Sequence, residues 1–255
     1  MKNRTLAFGE GLFETFRVYE GPKLCFVEEH LGRMAAGCRF FDIPFSRDEA
    51  EKHLFSSLRE ITGHKGARLR LNLTTYGANA IERVAFSTET LPLPDMGKEK
   101  KEGVEIGLAP FRKFSGSPVV RFKTTSYIEN ILVFRQARRL GFFDAVFANE
   151  RKEITEGSIS NIFFLKKDKI ITPPVDAGLL PGITRNKVIE LARSFGISTE
   201  EIPVPLDALD RFESAFVTNS VWEILPVKRI DRVIYQSSGM VPFIQKEYEK
   251  LIKGI

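Results

Sequence analysis

Residues 67–73 alternate strictly between apolar and polar side chains, and this pattern constrains the fold more than any other stretch of the chain. A period of two predicts a β-strand with one buried face. The apolar positions are Ala67, Leu69, Leu71 and Leu73. The turn-forming residues 76–79 follow, and residues 81–88 are again strand-like, so we expect the two stretches to pair.

The rest of the chain mixes strand-like and helix-like patterns. Residues 12–20 and a return strand beginning at Leu24 predict a hairpin, and Ser46 is a good N-cap for a helix ending near 61. Residues 91–102 carry two prolines and a run of charges, which favours a surface excursion. Further strands are predicted at 104–108, 119–123, 144–149, 161–165, 169–171, 200–204, 214–218 and 227–235, and helices at 28–40, 127–140, 184–195 and 241–253. Strands and helices do not alternate regularly, so the predicted class is α+β.

A length of 255 residues suits one or two domains. The small residues and the proline of 113–118 favour a linker there. We therefore predict a small N-terminal α+β domain over 1–112, a linker over 113–118 and a larger C-terminal α+β domain over 119–255.

Composition excludes several classes of protein. The chain is 43% hydrophobic and 28% charged, which is typical of a folded globular protein. Neither a membrane-spanning run nor a signal-peptide core is visible, so we expect a cytoplasmic location and no membrane partner. We expect Cys25 and Cys38 to be buried thiols, and the scattered His30, His53 and His64 predict no metal site. The net charge of +5 is dispersed without a basic and aromatic motif, so no nucleic-acid partner is expected.

Residues 172–185 form a loop rich in proline and glycine that leads into a helix. Gly182 permits close backbone approach, and Thr184 stands where an N-cap hydroxyl is expected. The first N–H groups of a helix bind anions readily, although an ordinary capped helix has the same pattern. Ser220, in the polar stop after the strand 214–218, equally suits a phosphate or a plain turn. Arg33 is a candidate counter-charge, or simply a helix arginine.

Lys123 closes the predicted strand 119–123, and Glu156 lies between two later predicted strands. A partly desolvated lysine amine becomes nucleophilic toward carbonyls, although a surface lysine is the commoner outcome. A lone glutamate in such a turn is ordinarily exposed. Together, a lysine able to form a Schiff base, a carboxylate able to keep a ring nitrogen protonated and two phosphate loops are the parts of a pyridoxal phosphate site.

The sequence resembles the class IV aminotransferase family, the fold-type IV pyridoxal phosphate enzymes. This family includes branched-chain aminotransferases, D-amino acid aminotransferases and aminodeoxychorismate lyases. The segments that carry the resemblance are 8–18, 30–34, Lys123, 156–163, 180–185, 217–220 and 226–227. It implies a two-domain α+β fold like that of D-amino acid aminotransferase and a homodimer, with the site in the cleft between the domains and partly lined by the other subunit.

The resemblance also implies roles for individual residues toward pyridoxal 5′-phosphate. Lys123 would be the Schiff-base lysine, and Glu156 would hold the pyridine nitrogen. The residues implied for the phosphate are Arg33, Ile183, Thr184 and Ser220. The sequence departs from the family in having Ser126 where an asparagine is common, and with seven residues before Phe8 we expect the first strand to be shortened or absent.

Two reactions of the family compete. Thr15, the pair Asn219-Ser220 and the short chain favour a 4-amino-4-deoxychorismate lyase that releases pyruvate and 4-aminobenzoate. Glu223, the form of 156–163 and the lack of a Gly-Arg-Gly stretch at 74–79 favour an aminotransferase. We predict an aminotransferase that moves an amino group between an amino acid and a 2-oxo acid, with the lyase as the alternative. A third alternative is a non-enzymatic binding protein.

The substrate carboxylate has two candidate partners. Arg68 and Arg70 lie on the polar face of the alternating strand, where a guanidinium can meet a carboxylate. The same positions equally suit a solvated strand face.

Overall fold

The computed structural model describes residues 1–61 and 66–255, so His64 lies outside the described residues. These residues form two compact units: 1–94 with 122–127, and 95–121 with 128–255. The chain first passes from one to the other at Pro94–Asp95, and segment 113–118, expected to be a linker, lies within the second unit. The reason is that Val104–Leu108 already pairs in the sheet of the second unit.

The first unit combines one antiparallel sheet with helices. Its elements are α1 (Arg4–Phe8), β1 (Gly11–Tyr19), β2 (Lys23–Leu24), α2 (Val27–Phe40), α3 (Arg47–Glu60), β3 (Ala67–Tyr76) and β4 (Arg83–Pro92). The strand order is β2-β1-β3-β4. The alternation predicted for β3 is confirmed, because Leu69, Leu71 and Leu73 are fully buried in the core that also contains residues of α2 and α3.

Local signals explain most boundaries of the first unit. Ser46 caps α3 as predicted, since its side chain accepts the N–H of Glu49 at 3.3 Å. The return strand is shorter than predicted, because Phe26 adopts a left-handed conformation and α2 begins at Val27. The residues before β1 form α1, capped by Asn3.

The second unit contains the remaining residues, 95–121 and 128–255. Its elements are α4 (Gly97–Glu102), β5 (Val104–Leu108), α5 (Ile128–Arg139), β6 (Asp144–Ala148), β7 (Glu153–Gly157), β8 (Asn161–Lys166), β9 (Lys169–Thr172), α6 (Ile183–Ser194), β10 (Ser198–Glu201), β11 (Val204–Pro205), β12 (Ser214–Asn219), β13 (Glu223–Ile230), β14 (Val233–Ile234) and α7 (Met240–Gly254). The strands follow the order β10-β9-β8-β12-β13-β5-β6-β7-β11, and β14 pairs with β13. The predicted α+β class is confirmed.

The strand predicted at 119–123 is wrong. Pro118–Arg121 forms a 3₁₀ helix instead, and Val119 is largely exposed. Proline fixes its own φ near the helical value and suits the first position of a helical turn, which outweighs the strand preference of the two valines.

Three further boundaries differ from expectation. The strand expected at 200–204 is divided into β10 and β11, with Pro203 in the gap. The strand expected at 227–235 begins earlier and is divided into β13 and β14 at Asp231, which has a positive φ of 48°. The excursion expected at 91–102 contains the end of β4 and then α4.

We expect Leu71→Ala to lower the free energy of unfolding by about 2–5 kcal/mol, because it leaves a cavity in a fully packed core. Urea denaturation followed by circular dichroism measures this change. Leu6→Ala is the matched control, since Leu6 is 87% exposed. A change of less than about 0.5 kcal/mol for Leu71→Ala, the range of surface substitutions, would contradict the described packing.

Candidate functional site

Lys123 lies in a short segment that runs beside β1. The backbone N–H of Phe13 donates to the carbonyl of Lys123 at 3.0 Å, and the N–H of Thr125 donates to the carbonyl of Gly11 at 2.9 Å. These two bonds fix the backbone from the Lys123 carbonyl to Thr125 without a regular strand. The lysine is therefore positioned by β1 and not by the strand predicted to end there.

Two aromatic rings contact the Lys123 amine. Its Nζ lies 4.6 Å from the ring centroid of Phe13 and 5.6 Å from that of Tyr127. The rings meet edge to face at 5.4 Å. Rings at this distance attract a cation and exclude water from one side of the half-buried side chain. The two aromatic rings thus define the position of the amine.

Arg33 is held by a fully buried carboxylate on β1. Its Nε and Nη2 donate to Glu14 at 2.8 and 2.7 Å, and Nδ1 of His30 lies 2.6 Å from the same carboxylate. Burial raises the pKa of Glu14, but the charge of Arg33 and the hydrogen bonds from Arg33 and His30 outweigh this and lower it to about 2. Burial lowers the pKa of His30. An ionised carboxylate only accepts hydrogen bonds, so Nδ1 of His30 is the donor.

Thr15, Arg68 and Arg70 lie on the sheet face opposite Glu14. Thr15 is the register partner of Arg70, and Arg17 is that of Arg68. The guanidinium carbon of Arg70 lies 3.7 Å from the Phe13 ring centroid, and its Nε donates to Asn72 at 2.7 Å. Desolvation lowers the pKa of Arg70. Arg70 and Lys123 therefore both contact the Phe13 ring, and Arg70 is not on a fully solvated face.

Glu156, at the end of β7, is buried and paired, whereas a lone glutamate in that position was expected to be exposed. Its Oε1 accepts from Nζ of Lys113 at 2.7 Å, and its Oε2 accepts from the backbone N–H of Leu180 at 3.0 Å. Sequence reasoning missed Lys113, because it lies in the segment interpreted as a linker. No local pattern in the sequence relates two residues so far apart.

The turn after Glu156 is fixed by a second buried carboxylate, Asp144. This carboxylate accepts from the side chains of Ser158 and Ser160 and from the N–H of Ala145. Desolvation raises the pKa of Asp144. A Cβ on Gly157 would lie 2.6 Å from Asp144 Oδ2 and 2.1 Å from Ser160 Oγ, so glycine is required there.

The loop from Leu180 leads directly into α6. The N-cap of α6 is Gly182 and not Thr184, which lies in the first turn and is buried. A Cβ on Gly182 would lie only 2.0 Å from Oδ1 of Asn161, whose amide donates to the carbonyl of Leu180 at 2.8 Å. Among the described residues, no side chain caps this helix and no acidic residue occupies its first turn. An N-terminus of this kind suits an anion.

Ser220 lies in the turn that follows β12. Asn219 organises this turn: its Oδ1 accepts from the N–H groups of Val221 and Trp222, and its amide donates to the carbonyl of Ile159 at 3.1 Å. The structure therefore connects the Ser220 turn, the loop after Glu156 and the start of α6 within the second unit. Arg33, Lys123 and the arginines of β3 belong to the first unit.

A cofactor with a phosphate and a basic ring nitrogen fits the groups of the second unit. The uncapped N-terminus of α6 offers N–H donors to a phosphate, and the close packing at Gly182 leaves no room for a larger residue there. The buried Glu156 offers a charged acceptor. The second unit therefore offers two groups that such a cofactor needs, an acceptor carboxylate and an uncapped helix N-terminus.

The chain belongs to the class IV aminotransferase family. The family model described as amino-transferase class IV matches residues 11–230. Aminodeoxychorismate lyase from Bacillus subtilis is 29% identical, over 97% of this chain and 87% of the relative. D-alanine aminotransferase from Bacillus licheniformis is 29% identical, over 91% and 82%. A putative branched-chain-amino-acid aminotransferase from Methanocaldococcus jannaschii is 30% identical, over 98% and 88%.

Solved structures agree on the fold. A putative 4-amino-4-deoxychorismate lyase from Legionella pneumophila has a TM-score of 0.89 and 25% identity, covering 98% of this chain and 94% of its own. A branched-chain aminotransferase from Thermoproteus uzoniensis also has a TM-score of 0.89, with 24% identity and coverages of 99% and 88%. Within the described residues, no helix is both long and apolar enough to cross a membrane.

We expect Glu14→Gln to destabilise the protein by about 3 kcal/mol at neutral pH, from the size of the pKa shift. The folded-state pKa lies below the ordinary 4.5, so the stabilisation is complete above that value and disappears as the pH falls through about 2. Urea unfolding at pH 7 and pH 3 measures both values. The exposed Glu60→Gln is the control, and a deficit for Glu14→Gln that does not shrink in acid would contradict the assignment.

Proposed function

We propose that the protein is a pyridoxal phosphate-dependent aminotransferase that moves an amino group between an amino acid and a 2-oxo acid. The observation that carries the proposal is the buried Glu156 carboxylate, which is bonded to the same loop that delivers the uncapped start of α6. An acceptor for a ring nitrogen thus lies one hydrogen bond away from the loop that offers a site for a phosphate. Class IV aminotransferases use this cofactor.

The cofactor would be held mainly through its two polar ends. Glu156 would accept a hydrogen bond from the ring N–H and so favour the protonated ring. The N–H groups of Ile183 and Thr184 and the hydroxyl of Ser220 meet the phosphate, with Arg33 supplying positive charge. When bound, the cofactor supplies an electron sink for the bonds at the substrate Cα.

Lys123 is the catalytic residue of this proposal. Its Nζ would hold the cofactor through the aldehyde group and, once free, would take the proton from the substrate Cα. The rings of Phe13 and Tyr127 support this role, because they orient the amine and shield one side of it from water. A partly desolvated amine loses its proton more readily, and only the unprotonated amine can act as a nucleophile or accept a proton.

Thr15, Arg68 and Arg70 form the proposed substrate side of the site. Arg70 is the strongest candidate for the substrate carboxylate, because its guanidinium and the Lys123 amine contact the same Phe13 ring. A guanidinium binds a carboxylate through two parallel hydrogen bonds. We further propose a homodimer working in the cytoplasm; the homodimer is what the family resemblance implies.

The second candidate is a 4-amino-4-deoxychorismate lyase. It is favoured by Thr15, which lies opposite Arg70 on the proposed substrate side, and by the similarity to the Bacillus subtilis lyase. In this reaction Lys123 removes the same Cα proton, but pyruvate leaves and 4-aminobenzoate remains. The two reactions differ in whether an amino acceptor is needed.

A half-reaction separates the two candidates. We expect a single amino acid, with no acceptor, to convert the cofactor on the purified holoenzyme to its amine form and to yield one equivalent of 2-oxo acid. A screen of L- and D-amino acids by cofactor absorbance measures this conversion. Lys123→Ala should abolish it. Release of pyruvate and 4-aminobenzoate from aminodeoxychorismate without any acceptor would instead establish the lyase.

Substrate recognition by Arg70 gives a further prediction. Arg70→Ala should raise KM for amino acids by roughly tenfold to a hundredfold, since a charged hydrogen bond is worth about 1.5–3 kcal/mol. It should leave the reaction of the corresponding amine, which lacks the carboxylate, unchanged. Steady-state kinetics with both substrates measure the difference, and Arg83→Ala on β4 is the control. Equal losses for both substrates would contradict a carboxylate contact.

A further inference from the structure

We propose that Lys113 is a positioning residue that acts on the cofactor's ring nitrogen through Glu156. The inference rests on the proposed function and extends it to a residue outside the family motifs named above. Lys113 Nζ donates to Glu156 Oε1 at 2.7 Å, and the two side chains are only 4% and 8% exposed. This cation is therefore directed at the one carboxylate proposed to meet the ring.

Lys113 is held in place from both ends. Its backbone N–H donates to the carbonyl of Ala148 at 2.9 Å, which joins it to β6. Its Nζ lies 4.4 Å from the ring centroid of the fully buried Phe147. The amine is thus enclosed between an aromatic face and a carboxylate, where a cation–π contact adds to the ion pair.

The residues after Lys113 are fixed equally well. Ser115 donates from its N–H and its hydroxyl to Glu150 at 2.9 and 2.6 Å, and Arg151 donates to the Ser115 hydroxyl at 2.8 Å. A Cβ on Gly178 would lie 2.7 Å from Cα of Ser115, so the segment also packs closely against the loop that leads to α6. Lys113 and the proposed anion site therefore lie in one closely packed region of the second unit.

Stability alone is a weak reason for this ion pair. Burying two charges costs about as much as their attraction returns, and an apolar replacement is often no less stable. The position of the pair suggests a different purpose. A buried carboxylate needs a counter-charge, and Nζ of Lys113 supplies one to Glu156 at 2.7 Å.

The ionised form of Glu156 still has acceptor capacity for the ring. A carboxylate offers roughly four lone-pair sites, and Lys113 and the N–H of Leu180 occupy two of them in the structure. A protonated Glu156 would lose its charge and could no longer hold a cationic ring N–H. Lys113 therefore sets the protonation of the ring nitrogen without touching it.

The test compares two ligands that differ only at the ring nitrogen. Apo-protein is titrated with pyridoxal 5′-phosphate and with its 1-deaza analogue, in which a carbon replaces that nitrogen. We expect Lys113→Met to weaken pyridoxal phosphate binding by about tenfold, the loss expected for one charged hydrogen bond, and to leave binding of the analogue within about twofold. Lys113→Arg should restore the affinity, because it keeps the charge.

Two further variants complete the comparison. Lys113→Met added to Glu156→Gln should cause no further loss, since the residue through which it acts has been neutralised. Lys169→Met, which breaks the exposed Lys169–Glu200 pair, is the control for loss of a lysine charge. If Lys113→Met does not fold, Lys113→Gln takes its place, with thermal unfolding of each apo-protein as the check.

The outcomes are distinguishable. Equal weakening of both ligands, or no weakening of either, would overturn the role of Lys113 while leaving the proposed function intact. Failure of the wild-type protein to bind pyridoxal phosphate would overturn the proposed function, and the inference about Lys113 with it.

Discussion

The Glu156 carboxylate is the interaction on which the second unit depends. A buried charge is tolerated only when it is paired and hydrogen-bonded, so its partners must all be in place in the folded protein. Those partners are Lys113, far earlier in the chain, and the backbone of Leu180, on the loop that begins α6. One carboxylate thus fixes a strand end, a distant segment and the direction in which a helix starts.

The first unit also contains a buried carboxylate with polar partners, but here the partners are an arginine and a histidine. Glu14 is buried on the core face of β1, and its partners, Arg33 and His30, come from α2. Its pKa is low because a bidentate guanidinium is nearby, so it stays ionised across the physiological range. In both units a buried carboxylate orients a group proposed to bind the cofactor. The orientation of that group therefore forms together with the folded structure.

Local sequence patterns correctly predicted the features that depend on neighbouring residues alone. The alternation of β3, the cap of Ser46 and the α+β class follow from side-chain periodicity and are confirmed. The strand expected at 119–123 failed because Pro118 and pairing with β1 outweigh the preference of valine. Lys113 could not be found from sequence, because its partner lies 43 residues away. Roles for Lys123 and Glu156 came from resemblance, and their contacts only from the structure.

The order of the chain has a consequence for synthesis. Residues 122–127 belong to the first unit, although the residues on either side of them belong to the second. When only about the first hundred residues have been synthesised, the backbone groups of Gly11 and Phe13 at the edge of β1 lack the hydrogen bonds that residues 123–125 later provide. Such an edge is open to pairing with other nascent chains. The segment that carries the proposed catalytic amine would thus also pair with this edge of β1 in the nascent chain.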